Sequence, residues 1–175
     1  RCVFLAGGSL VLLASVVNIK RVFKIFDEYN ITGFSMVPSA WFYIKKMSGN
    51  KIAQYSNQLN YVELGSAYMS AEEKGELSEM LPKTRLCMHY GLTEASRSTF
   101  LEFNSEKFFL SSVGRPSPNV SIKIFDEDGN ETLSGKEGEI CIKGNHVSKK
   151  YLNALKSDYF YGDFFRTGDI GLFNT

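Results

Sequence analysis

Cysteine and histidine are scarce, with three and two residues respectively in a chain of 175. Cys2, Cys87 and Cys141 are odd in number and widely spaced, which argues against a disulfide framework or a zinc cluster. Reduced, buried thiols in a cytoplasmic protein are the expected state. His89 and His146 have no cysteine or histidine partner at metal-ligand spacing, and no Gly-x-Ser-x-Gly elbow is present. A structural or pocket-lining role is expected for both. Charge of one sign is also lacking. Twenty basic residues nearly balance 19 acidic ones, the net charge is +1, and no long single-sign run occurs. Neither nucleic acid nor an anionic membrane is implied as an electrostatic partner. No repeat or low-complexity tract is present. One uncharged stretch, from Cys2 to Ile19, is interrupted by Gly7-Gly8-Ser9 and followed at once by Lys20 and Arg21. It is read as a strand, a glycine-rich turn and a second buried strand from Leu10 to Val17, not as a membrane span or signal peptide.

The apolar share, 43%, is that of a globular protein able to bury a core. Asn18 can cap a helix in which Ile19, Val22, Phe23, Phe26 and Tyr29 share a face. Gly33 to Val37 reads as a buried strand, and Pro38-Ser39 opens a helix carrying Trp41, Phe42 and Ile44. After a polar stretch, Tyr61 to Leu64 reads as a strand. Ser70 and Glu73 form a capping box for a helix to about Leu81, and Arg85 to His89 is another strand. Strands alternating with helices predict a parallel α/β sheet, whose ligands sit at the carboxyl ends of strands. Gly65-Ser66-Ala67 and the run from Tyr90 to Glu94 both follow a strand directly. Further on, Val120, Ile122 and Ile124, a turn at Asp128-Gly129-Asn130, then Ile140 and Ile142 predict a β-hairpin. The expected fold is α/β: a partial parallel sheet with flanking helices over residues 1–112, then a small β-rich, barrel-like subdomain over 113–175.

Asp126, Asp128, Asn130 and Glu137 match positions of a calcium loop. Glu131 stands where the sharp turn needs glycine, so the hairpin reading prevails. Tyr90-Gly91-Leu92-Thr93-Glu94 carries more chemistry. An aromatic face can cover a purine. A threonine hydroxyl can bond a phosphate oxygen, and a single carboxylate beside phosphates is a usual way to hold Mg²⁺. Alone, the five residues could be a glycine turn with exposed polar groups. They stand, however, in an ordered set. Gly65-Ser66-Ala67-Tyr68-Met69-Ser70 precedes them. Ser112-Val113-Gly114-Arg115-Pro116, then Gly138 to Gly144, then Tyr151, then Arg166-Thr167-Gly168-Asp169 follow. In order and spacing this set resembles the adenylate-forming superfamily of acyl-CoA synthetases, firefly luciferases and nonribosomal peptide adenylation domains, over essentially the whole chain.

The resemblance implies that Tyr90 stacks on adenine and that Gly65, Ser66 and Ala67 form the wall along it, with Gly91 in the same nucleotide loop. Thr93 would contact the phosphate that becomes AMP, and Glu94 would ligate Mg²⁺; these two are the implied catalytic residues. Asp169 would bond the ribose hydroxyls. Val37, Tyr61, Ala67 and His89 would lie near the acyl pocket. The glycines of 114 and of 138–144 are expected to be structural. ATP, Mg²⁺, coenzyme A and a small carboxylic acid are the implied cofactors and partners. Two departures bear on the acid. The wall is usually two glycines, a small residue and proline, where this chain has Gly65-Ser66-Ala67-Tyr68. The residue before the motif tyrosine is often small, where this chain has His89.

The phosphate loop with its lysine, the hinge and the small C-terminal domain of that superfamily have no counterpart here, and the chain begins with arginine. The expectation is an internal piece of a large N-terminal domain, missing N- and C-terminal parts of its own chain and without synthetase activity by itself. Coenzyme A is the expected acyl acceptor. A carrier protein is the alternative, as is a nonenzymatic nucleotide-binding module.

Overall fold

The computed structural model describes residues 2–153 and 155–174, with the side chain of Cys2 outside the described set. The chain divides into two compact units, Arg1–Cys87 with Glu102–Ser111, and Met88–Leu101 with Ser112–Thr175.

The first unit opens with a short helix α1 (Cys2–Leu5), where a strand was expected. The second expected strand is also absent. Residues 9–17 are irregular, and Leu10, Leu12 and Val17 are exposed. An apolar run becomes a core strand only where a neighbouring strand takes up its backbone groups. No described strand pairs with this segment.

Helix α2 (Ile19–Glu28) starts as expected, with the Asn18 side chain accepting the Arg21 N–H at 3.1 Å and thereby satisfying one orphan donor of the first turn. It buries Val22, Phe23, Ile25 and Phe26. Phe23 stacks on Tyr55 at 5.7 Å, and Phe26 meets the same ring edge-on at 5.2 Å. Burial raises the pKa of the Tyr55 hydroxyl to about 12, and its 2.9 Å bond to Asp27 pushes the same way.

Strand β1 (Gly33–Met36) is shorter than expected and alternates between exposed and half-buried positions rather than being buried on both faces. Val37, assigned to it from sequence, instead caps helix α3 (Pro38–Ser48). Its carbonyl accepts the Ala40 N–H at 3.0 Å. Proline in the first turn suits a helix start because its missing N–H would have had no partner there. A 3-10 turn (Lys51–Tyr55) leads to β2 (Tyr61–Gly65), which pairs in parallel with β1. Helix α4 (Ala71–Met80) carries the reciprocal Ser70/Glu73 capping box. Trp41, Ile44, Leu59, Val62, Leu64, Leu77, Leu81 and Leu86 fill the core.

Strands β3 (Arg85–Tyr90), β4 (Thr99–Glu102) and β5 (Arg115–Pro116) complete a mixed sheet of order β1-β2-β3-β4-β5, with β4 and β5 antiparallel. The second sheet is antiparallel. Its strands are β6 (Val120–Phe125), β7 (Gly138–Gly144), β8 (Phe160–Tyr161) and β9 (Phe164–Gly171), in the order β6-β7-β9-β8. The expected hairpin is β6–β7, with Ile122 opposite Ile142 and Ile124 opposite Ile140. Asp126 turns the chain, its carboxylate accepting the Asn130 N–H at 2.8 Å. The architecture is thus α/β followed by a small antiparallel sheet, as the sequence pattern implies.

Candidate functional site

Tyr90 is the last residue of β3, so the run Tyr90 to Glu94 leaves the carboxyl end of a strand, where open α/β sheets bind ligands. The loop is held from within. Leu92 and Ala95 exchange backbone hydrogen bonds of 3.1 and 3.2 Å. Gly91 packs so closely under this turn that a Cβ there would lie 2.5 Å from the Ala95 carbonyl oxygen and 2.6 Å from the Arg97 nitrogen. Only glycine permits that approach.

The loop is also held from outside. The Ser148 N–H donates to the Glu94 carbonyl at 2.7 Å. Buried Ser98 donates to the Ala95 carbonyl at 2.8 Å and lies 3.0 Å from His146 Nε2. With its one proton so used, Ser98 Oγ accepts from His146, which places a proton on Nε2. Thr93 is exposed and Glu94 half-buried. The Tyr151 hydroxyl donates to the Glu94 carboxylate, and that bond is the first cause of a raised Tyr151 pKa.

A second loop meets the first. Strand β9 pairs with β7 through Phe165 opposite Ile142 and Arg166 opposite Cys141, then resumes with Ile170 opposite Glu139. Thr167, Gly168 and Asp169 therefore stand opposite Ile140 alone, a bulge of two extra residues. Gly168 adopts φ +76°, a left-handed conformation that glycine takes without strain. The bulge removes ladder partners, and side chains replace them. Thr167 Oγ1 donates to the Ile140 carbonyl at 2.7 Å and accepts the Asp169 N–H at 3.1 Å. Glu139 Oε1 accepts the Gly168 N–H at 3.0 Å, while Oε2 takes Nε and Nη2 of Arg166, each at 2.9 Å. That carboxylate raises the Arg166 pKa.

The bulge turns Asp169 toward the first loop, and the Tyr90 hydroxyl donates to Asp169 Oδ2 at 2.7 Å. Burial raises the Tyr90 pKa, Thr167 opposes the rise, and Asp169 adds to it. A cleft of about 330 Å³ opens beside these groups, lined by Leu92, Glu94, Tyr151, Tyr159, Thr167 and Gly168 among others. The rings of Tyr151 and Tyr159 lie 4.5 Å apart along it. The cleft is lined by two tyrosine rings and the carboxylates of Glu94, Glu139 and Asp158, and exposed Thr93 stands in the adjoining loop.

Of the residues singled out from sequence, the second unit brings together Tyr90, Gly91, Thr93, Glu94 and Asp169. His89 precedes Tyr90 on β3 and packs against Phe100 at 5.9 Å. Gly65 ends β2, followed by Ser66 at φ +67° and exposed Ala67, in the first unit. Val37 and Tyr61 belong to that unit too. Val37 is 42% exposed, and the Tyr61 hydroxyl donates to the buried Glu63 at 2.9 Å. Three participants were not among the expected site residues: Glu139, Arg166 and Tyr151. Glu139 and Arg166 lie within the Gly138–Gly144 and Arg166–Asp169 motifs, and Tyr151 lies between them, so their positions are visible in the sequence although their contacts are not.

Glu94 fits a hard cation that keeps its waters and takes phosphate oxygens, because such an ion needs only one or two protein carboxylates. Among the described residues, no group of three or more His, Cys, Asp or Glu side chains could hold a metal by itself. No described helix is long and apolar enough to cross a membrane.

Residues 1–152 match the AMP-binding enzyme family. The 4-coumarate-CoA ligase 1 of Narcissus pseudonarcissus is 32% identical over 179 residues, an overlap of 97% of this chain and 32% of the relative. A 2-succinylbenzoate–CoA ligase of Enterococcus faecalis is 29% identical over 178 residues, covering 95% of this chain and 36% of the relative. Among solved structures, an amide bond synthetase from Marinactinospora thermotolerans superposes with a TM-score of 0.86 at 23% identity, over 99% of this chain and 35% of that one. This likeness speaks to the fold alone. The unliganded O-succinylbenzoate coenzyme A synthetase of Bacillus subtilis gives a TM-score of 0.78 at 25% identity, over 96% of this chain and 36% of that one. The chain spans about a third of the length of the curated relatives it matches.

Proposed function

The chain belongs to the AMP-binding enzyme family, and on that premise we propose that its full-length protein joins a carboxylic acid to coenzyme A through an acyl-adenylate. The observation that carries the reading is the 2.7 Å bond between Tyr90 and Asp169. Two residues 79 positions apart, both assigned to one nucleotide by the resemblance, are joined by a hydrogen bond, and their neighbours Leu92, Glu94, Thr167 and Gly168 line one cleft. Relatives named as 4-coumarate- and 2-succinylbenzoate–CoA ligases support coenzyme A as the acceptor.

In this reading the Tyr90 ring covers adenine, and Gly65-Ser66-Ala67 keeps its assignment as the adenine wall by the resemblance alone. Asp169, with Oδ2 held by Tyr90, offers its remaining lone pairs to the ribose hydroxyls. Exposed Thr93 donates to the α-phosphate. Glu94 would hold Mg²⁺, which would supply neutralisation of the phosphate charge. The tie from Tyr151 and the Ser148–Glu94 backbone bond keep that carboxylate in place. A carboxylate oxygen of the substrate attacks the α-phosphorus, the bond to the bridging oxygen breaks, and pyrophosphate leaves. Catalysis of such a transfer is mostly positioning and electrostatic stabilisation. The coenzyme A thiolate then attacks the acyl carbon and AMP departs. Val37, Tyr61 and His89 are assigned to the acyl side. Free, buried Cys87 and Cys141 support a reducing, cytoplasmic setting.

The test is ATP–pyrophosphate exchange by the full-length protein across a panel of carboxylic acids that includes hydroxycinnamic acids. Exchange that requires an acid supports the reading. ATP binding without exchange for any acid would favour a nonenzymatic nucleotide-binding module.

A further inference from the structure

We propose that Glu139 is a positioning residue for nucleotide binding, acting on Asp169 through the Gly168 backbone rather than through its charge. The inference rests on the assignment of Asp169 to the ribose. Glu139 lies on β7, its side chain is 14% exposed, and it points across the ladder at the bulge that carries Asp169. Residues 167–169 have no ladder partner but Ile140. Their geometry is fixed by two side-chain substitutes for missing backbone acceptors. One is Thr167 Oγ1, which takes the Asp169 N–H, and the other is Glu139 Oε1, which takes the Gly168 N–H at 3.0 Å. Gly168 has no Cβ to restrict it and sits at φ +76°. The hydrogen bond from its N–H is therefore what selects one backbone conformation from the several open to glycine. Asp169 follows directly, so its carboxylate direction depends on that choice. The other oxygen of Glu139 takes Arg166, whose guanidinium lies 4.4 Å over the Tyr161 ring. Arg166 is thus a second partner of the Glu139 carboxylate, on the oxygen that the Gly168 N–H does not use.

Two conservative variants separate reach from charge. Glu139→Gln keeps one acceptor oxygen for the Gly168 N–H at the same distance, loses the charge, and puts an amide nitrogen where Oε2 took Arg166, whose 35% exposed side chain can turn to solvent. Glu139→Asp keeps the charge and retracts the carboxylate by one carbon–carbon bond, about 1.5 Å, out of reach of the Gly168 N–H. The measurement is calorimetric affinity of the full-length protein for ATP and for 2′,3′-dideoxy-ATP, which needs no acid substrate. The wild type is expected to prefer ATP by on the order of ten- to a hundredfold, the worth of hydrogen bonds to a charged carboxylate. Glu139→Gln is expected to retain that preference within about twofold, and Glu139→Asp to lose most of it through weaker ATP binding at unchanged dideoxy-ATP binding. Any other pattern in the two variants overturns the proposal: the preference kept by both, lost by both, or lost only in Glu139→Gln. A wild type that binds ATP without preferring it to the dideoxy analogue overturns the ribose assignment instead, so the two failures are distinct.

Discussion

Replacing Gly91 with alanine drives a methyl group into backbone on two sides. The new Cβ would lie 2.5 Å from the Ala95 oxygen and 2.6 Å from the Arg97 nitrogen, where real Cβ atoms essentially never approach within 3.0 Å. The turn must therefore open by at least 0.5 Å, the difference between 3.0 and 2.5 Å. Neither obstacle is a flexible side-chain end, so no rotamer change relieves it. Overpacking of this kind costs about 1–3 kcal/mol. Part of that is the weakened reciprocal pair between Leu92 and Ala95, worth about 0.5–1.5 kcal/mol per hydrogen bond. The same opening moves Thr93 and Glu94, which lie inside the turn. Loss of one well-placed phosphate or metal contact is expected to weaken ATP binding about tenfold, or ~1.4 kcal/mol. Urea unfolding and ATP calorimetry on full-length Gly91→Ala measure the two effects. Unchanged affinity with lowered stability would make the loop purely structural, and no change in either would refute the close-approach argument.

Gly75→Ala, inside α4, carries the opposite sign, because the nearest atom to its Cβ is a leucine methyl at 3.9 Å and no positive φ is involved. It is expected to raise stability by about 0.8–1 kcal/mol, the helix propensity difference, read from a urea midpoint. Ser70→Ala removes the side-chain acceptor from the capping box and is expected to cost about 0.5–2 kcal/mol in the same assay. Cys141 is buried, and burial pushes its thiol up to about 12, so alkylation near neutral pH should proceed only as fast as the chain opens. Rapid modification of that thiol in the folded protein would contradict its placement. Tyr55 has a folded pKa of about 12 against an ordinary 10.0, so the unfolded chain releases this proton first as pH rises. Its contribution to stability is complete below pH about 10 and is lost toward pH 12, while a tyrosinate absorbance titration of the folded protein should show it ionising late.

Much of this was legible from residues alone because the determinants were local. Asn18 and the Ser70/Glu73 box declared their helices, since capping needs only three or four consecutive residues. The β6–β7 hairpin followed from alternation around Asp128-Gly129-Asn130. What failed was non-local. Leu10 to Val17 has the composition of a core strand, yet a strand exists only where another pairs with it, and composition carries no such information. Gly33 to Met36 does pair with β2 but stands at the edge of the sheet, so its positions alternate between exposed and half-buried, and an edge place is not encoded in four residues. The contacts of Glu139 are not legible in sequence because its partners, Arg166 and Gly168, lie 27 and 29 residues away. The bulge that makes it important is a register shift between two strands, and no single stretch of sequence encodes that. His146 acquires a use only through Ser98, 48 residues earlier.

The most direct test is acid-dependent ATP–pyrophosphate exchange by the full-length protein beside its Asp169→Asn and Glu94→Gln variants. The account predicts exchange in the wild type, a raised KM for ATP in Asp169→Asn, and a large loss of rate in Glu94→Gln. Exchange that proceeds unchanged in both variants would contradict the assignment of Tyr90 to Glu94 and Asp169 as one nucleotide site.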